Sequence, residues 1–194
     1  SSRVAERFVR EHAEWVQETA EKQIRERAKA RQQSFESGAM FSVLGDVRQL
    51  IVKLESGRVR SRFKEVGDVV EVVVANYDGV RDVIERWYRE RAQRYFEQRV
   101  AHYEGLLRVK VEKLVVSGAR TQWGSCMRNK GRVSLQWRLA QAPQYIVDHV
   151  IVHELMHLKV SGHNKQFWSG VQEFCPEYNQ CRKWLRENGK ALYW

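Results

Sequence analysis

Apolar residues recur along this chain with two different periods, and the switches between them mark its elements. Over residues 3–36, Val4, Phe8, Trp15, Thr19 and Ile24 recur at helical spacing, and no proline or glycine intervenes before Gly38; this predicts one long helix. Its second half is mostly Glu, Gln, Lys and Arg. Pairs such as Glu18–Lys22 and Glu21–Arg25 support it as a solvated arm. After Gly38 the pattern predicts strands over Val47 to Leu54, Arg58 to Phe63 and Val69 to Ala75, with Glu55-Ser56-Gly57 as a turn between the first two. Asp78 is placed to cap a helix running to about Tyr103, with Val80, Val83, Ile84, Trp87 and Val100 facing inward. Val111 to Val116 reads as a strand. Arg120 to Cys126 and Arg132 to Arg138 read as two more, joined by Asn129-Lys130-Gly131.

The apolar run from Tyr145 to Val152 continues a helix that Pro143 suits at its first turn. Ser161-Gly162 ends it. Asn164 caps a short helix through Val171, and Pro176 restarts the chain into a last helix that Gly189 closes after Asn188. No internal repeat or low-complexity tract occurs. Three segments follow: a helical arm over 1–38, a β-rich segment over 39–76 and a domain over 77–194.

The third of these helices carries His153-Glu154-Leu155-Met156-His157. Residues four apart share a helix face, so His153 and His157 can offer imidazoles to one cation. Glu154 then stands beside the cation rather than on it, where a carboxylate can take a proton from an activated water. Two histidines do not complete a site. His163 follows six residues after His157 and can turn back once Ser161-Gly162 breaks the helix. Glu173 and Glu177 lie farther along and are weaker third ligands. His149, one turn before His153, suits buried packing or support of the ligands better than ligation. The bland alternative is a chance match on an ordinary helix; the apolar context, Pro143 and His163 weigh against it.

Length and composition change the picture modestly. A chain of 194 residues with 43% apolar content can bury a real core. Cys126, Cys175 and Cys181 show no framework spacing, which points to reduced thiols and a cytoplasmic protein. No apolar run has membrane-spanning length, and no signal peptide is visible. The chain begins Ser1-Ser2 without Met, which suggests trimming.

Charge matters more. The formal net charge is +10, which attracts polyanions. Lys113 to Val147 contains no Asp or Glu but holds Lys113, Arg120, Arg128, Lys130, Arg132 and Arg138, interleaved with Trp123, Trp137 and Tyr145. Arg58, Arg60, Arg62 and Lys64 alternate along a predicted strand. Such cations and aromatics suit a nucleic-acid surface, although a charged strand face is usually just solvated and tryptophans usually core. The Arg-rich helix pairs internally through Glu85–Arg89 and Glu90–Arg94.

Several ordered motifs resemble the YgjP-like metallopeptidase family, which is related to the SprT-like zincins. They are Arg120-Thr121-Gln122-Trp123-Gly124-Ser125-Cys126, Gly131 to Leu139, Pro143, His153 to Leu158, His163, Phe167-Trp168, Pro176 and Trp184-Leu185. The resemblance is dense from Arg120 to Leu185 and looser before it, where Phe8-Val9 and Trp15-Val16 are similar to the family's first helix. It implies an α+β fold: a zincin-like (SprT/minigluzincin-type) catalytic domain with a small, mostly antiparallel sheet and an active-site helix, preceded by a long N-terminal helix. It also implies zinc on His153, His157 and His163, with Glu154 as base. Gln122, Gln136 and His149 depart from common family residues (Arg, Asn and Tyr), which touches substrate contacts rather than the metal set.

The expected function is a zinc-dependent endopeptidase acting on protein or peptide, near DNA or another polyanion and not in a membrane. His149, Tyr145, Trp123, Arg128 and Arg132 are its candidate supporting or substrate-contacting residues. Two alternatives stay open: a metal-dependent nucleotide phosphohydrolase, and a nucleic-acid-binding accessory protein with a structural metal.

Overall fold

β-branched runs build two small sheets, and one long helix touches both. The computed structural model describes residues 35–57 and 60–194, of which Phe35–Trp194 form a compact unit. The helix expected over 3–36 lies almost wholly outside the described residues.

The first sheet contains β1 (Met40–Val43), β2 (Asp46–Leu54), β3 (Arg62–Val66) and β4 (Val69–Val74) in the order β1-β2-β4-β3. Leu44 and Gly45 join β1 to β2, both with positive φ (53° and 95°), as a two-residue hairpin turn requires. β2 then pairs in parallel with β4, from Gln49↔Val69 to Leu54↔Val74, and β3 returns antiparallel to β4. Four-residue β1 escaped the sequence pattern because it is too short to show a period. The expected second strand is shifted. It begins at Arg62, Arg60 precedes it and Arg58 lies outside the described residues, so only Arg62 and Lys64 of the four alternating cations share its face. Arg62 pairs there with Glu55 at 2.8 Å.

Helix α1 spans Val80–Leu107. Its N-cap is Gly79 rather than Asp78, which lies in a preceding 3-10 turn and makes no side-chain cap bond. The expected inner residues are all buried, and Tyr88 and Phe96, not among those expected, are buried with them. Trp87 and Tyr88 pack at 4.6 Å, and Tyr88 reaches Trp137 at 5.9 Å. Glu85–Arg89 and Glu90–Arg94 pair along its surface.

The second sheet contains β5 (Lys113–Ser117), β6 (Gly124–Met127) and β7 (Arg132–Gln136) in the order β5-β7-β6. β5 runs parallel to β7, and β6 antiparallel. Gly131, at φ 53°, closes the β6–β7 turn. Both flanking strands are shorter than their apolar patterns suggested. Residues 120–123 are irregular, and Trp137–Gln141 winds into a 3-10 turn because the Gln136 side chain accepts a hydrogen bond from Arg138 N at 2.7 Å. Gln136 is thus a buried cap, 1% exposed. Across both sheets, three of the five strand pairings are antiparallel.

Three helices follow: α2 (Gln144–Lys159), α3 (Lys165–Phe174) and α4 (Tyr178–Asn188). Pro143 sits at the N-cap of α2, and the Asn164 side chain caps α3 by accepting from Phe167 N at 3.0 Å. Gly189 does not end α4 in a left-handed turn; its φ is −57°, and the chain continues into a 3-10 turn. Glycine is needed there for another reason: a Cβ would lie 2.7 Å from Trp123 Cζ2. Arg99 of α1 grips Asp148 of α2 through two hydrogen bonds of 2.8 and 2.7 Å, which fixes the helix that carries the motif.

Candidate metal centre

α2 has one fully apolar side and one side that holds imidazoles. Ile146, Val147, Ile151, Val152 and Leu155 are entirely buried. This anchors the helix, so the His153 and His157 rings face one way, 5.0 Å apart. The helix ends at Lys159. Gly162, at φ 70°, turns the chain back before Asn164 starts α3. His163 thereby comes within 5.0 Å of the His153 ring and 4.7 Å of the His157 ring. One ligand nitrogen from each of the three lies within 4.8 Å of the others, and the Nε2 atoms of His153 and His163 are 3.1 Å apart.

Phe167 holds the set in place. Its ring is fully buried and lies 4.9, 4.5 and 4.8 Å from His153, His157 and His163. Trp168 stacks on His163 at one side and on Tyr178 at the other. Gly170 lets α3 approach α2, since a Cβ would lie 2.8 Å from Met156.

The electrostatics suit ligation. Burial, reinforced by His157 and the other neighbouring histidines, drives His153 down to about 3. Burial and His163 also lower His157, against an opposing backbone bond to Val160. Rings that stay neutral keep lone pairs for a cation. Glu154 is 6% exposed, and burial pushes its carboxyl up to about 8. A nearby cation acts oppositely and favours the carboxylate. Three imidazoles, converging within the span of one coordination sphere, fit a divalent metal ion.

β6 lies along α2 beside Glu154. A Cβ on Gly124 would meet Glu154 Cγ and Oε1 at 2.6 Å. Cys126, two residues on, has its thiol raised to about 11 by burial and by Glu154, with Arg128 opposing. It stays a neutral thiol, outside the histidine cluster.

The other expected residues separate. Arg128 is exposed at the tip of the β6–β7 hairpin, within electrostatic reach of Cys126. Arg132 is exposed across from Met127. Trp123 packs against Gly189 and Tyr193. Tyr145 presents its carbonyl to Cys181. His149 is 3% exposed and groups with Cys175 and Cys181, not with the three histidines. Glu173 and Glu177 also fall outside the cluster. Sequence reasoning missed two contributors, Gly124 and Phe167. Both stood in quoted motifs, Trp-Gly-Ser-Cys and Phe-Trp, but nothing in a linear pattern shows which side chain a glycine or a ring touches.

A mixed α+β domain with an anchored imidazole helix, a returning third histidine and a buried carboxylate defines a metallopeptidase of zincin-like fold. The chain belongs to the YgjP-like metallopeptidase family, whose domain matches residues 1–188. It is also similar to the crystal structure of the metallopeptidase zymogen of Pyrococcus abyssi abylysin, at 20% identity and a TM-score of 0.44, over 49% of this chain and 93% of that one. No curated protein matches it. No helix among the described residues is long and apolar enough to cross a membrane.

Proposed function

We propose that this chain is a zinc-dependent endopeptidase in which His153, His157 and His163 hold the metal and Glu154 is the general base. The observation that carries the reading is the convergence of three imidazole nitrogens within 4.8 Å, next to a buried carboxylate on the same helix. When bound, zinc supplies a Lewis acid that activates water and polarises the scissile carbonyl. Glu154 accepts the proton released from the water and later delivers it to the leaving amine. Gly124 lets β6 lie against that carboxylate and so restricts its rotamers. β6 is an edge strand, with β7 on one side and no strand partner on the other among the described residues. An extended peptide can add to such an edge by main-chain hydrogen bonds.

The test is Glu154→Gln beside His163→Ala. Glu154→Gln should retain one metal equivalent at the histidines and lose peptide hydrolysis, whereas His163→Ala should lose both. Full activity in Glu154→Gln would sink the mechanism.

A polyanion accessory role has a specific support. Arg128, Lys130 and Arg132 are exposed together on the β6–β7 hairpin, and none makes an ion pair among the described residues. DNA near this hairpin should raise cleavage of a DNA-bound substrate, with steep salt dependence. A nucleotide phosphohydrolase is less favoured, because many such enzymes bind two metals side by side in one site and the three histidines offer ligands for one ion. Parallel peptide and nucleotide assays separate the two.

A further inference from the structure

A second group of metal-ligand side chains lies one helical turn from the three histidines and outside their cluster. His149 projects from α2, Cys175 caps the end of α3, and Cys181 belongs to α4. One ligand atom from each lies within 4.8 Å of the others. His149 and Cys181 are 3% and 1% exposed, and both cysteines are free thiols. His149 Nδ1 is buried without a hydrogen-bond partner. A buried imidazole nitrogen without a partner is an atom that a bound ion would satisfy.

We propose that His149, Cys175 and Cys181 form a second metal site, for a thiophilic divalent cation of the zinc type.

Size, charge and donor chemistry agree on this. Metal–sulfur bonds of about 2.3 Å and metal–nitrogen bonds of about 2.0 Å place ligands of a shared ion no more than about 4.6 Å apart. The observed cluster has that scale. Two thiolates cancel the charge of a divalent ion while the imidazole stays neutral, which a buried site requires. No carboxylate belongs to the set, so calcium and magnesium are disfavoured. The Cys181 thiol also reaches the Tyr145 carbonyl, at 4.0 Å. A filled site would tie α2 to the α3–α4 junction on the far side of Pro176.

The experiment uses the full chain, purified under reducing conditions, stripped of metal and reloaded with zinc or cobalt. Mass-spectrometric metal counting should give two equivalents per chain. The cobalt form should show a thiolate-to-metal charge-transfer band, which three imidazoles alone cannot produce. Cys175→Ser, Cys181→Ser and His149→Ala should each lose one equivalent, with the band lost in the two cysteine variants. His163→Ala should lose the other equivalent and keep the band, so failure here and failure of the peptidase reading are distinguishable. The unaltered protein decides the matter even if a variant misfolds. A cobalt form without the band overturns the proposal, as does a Cys175–Cys181 disulfide in place of metal under these conditions.

Discussion

Replacing Gly124 by alanine tests whether the strand edge positions the proposed general base, Glu154. The new Cβ would stand 2.6 Å from Glu154 Cγ and Oε1 and 2.8 Å from Cδ. Restoring ordinary contact at 3.4 Å requires a relative shift of about 0.8 Å. Glu154 has little room to give, since it is 6% exposed on a helix anchored by fully buried Ile151 and Leu155. Misplacing a catalytic group by about 1 Å costs on the order of 10²-fold in rate, and overpacking costs about 1–3 kcal/mol in stability. The expected outcome is a folded, metal-loaded variant whose kcat falls about 100-fold with KM nearly unchanged, because the base acts in the transition state. The assay is steady-state cleavage of a fluorogenic peptide at equal metal content, with thermal melts alongside. Gly105→Ala is the control: its Cβ would meet nothing within 4 Å, so activity should hold. A Gly124→Ala enzyme within about twofold of the parent kcat/KM would refute the reasoning.

In the metal-free protein, the folded state keeps a proton on Glu154 between pH 4.5 and about 8 that the unfolded chain releases, so stability falls as pH rises through that window. His153 acts oppositely: the unfolded chain takes up a proton between 6.5 and about 3 that the folded state refuses, so stability falls as pH drops. Melting temperature should therefore be flattest between 4.5 and 6.5, and Glu154→Gln should remove the decline above 6.5; an unchanged decline in that variant would assign it elsewhere. Asp148→Ala should cost about 1–3 kcal/mol in urea unfolding, a value discounted because the Arg99 pair is 28% and 18% exposed; a loss under about 0.5 kcal/mol would show that the clamp is idle.

The imidazole helix and its partners were legible because period and punctuation agree there: a continuous apolar run, Pro143 before it, Gly162 after it and Asn164 capping the next helix. Strand ends were less legible. Arg58 to Phe63 alternates well, yet pairing with β4 sets the strand at Arg62–Val66. Gly189 looked like a helix stop and is instead a gap for the Trp123 ring, a contact across more than sixty residues that no local pattern encodes. His149 shares a face with His153 in sequence, but its neighbours are two cysteines brought back by the turn at Pro176.

The placement of His163 outside the helix has a consequence for folding. Ten residues separate it from His153, so an ion held by both, as proposed, would close a short ring at small chain-entropy cost. Occupancy then becomes a mass-action term in the stability of the α2–α3 junction, about 2.7 kcal/mol at a hundredfold excess of free metal over its dissociation constant. The cell's supply of free metal would therefore set how often this junction opens to a protease, apart from any effect on turnover.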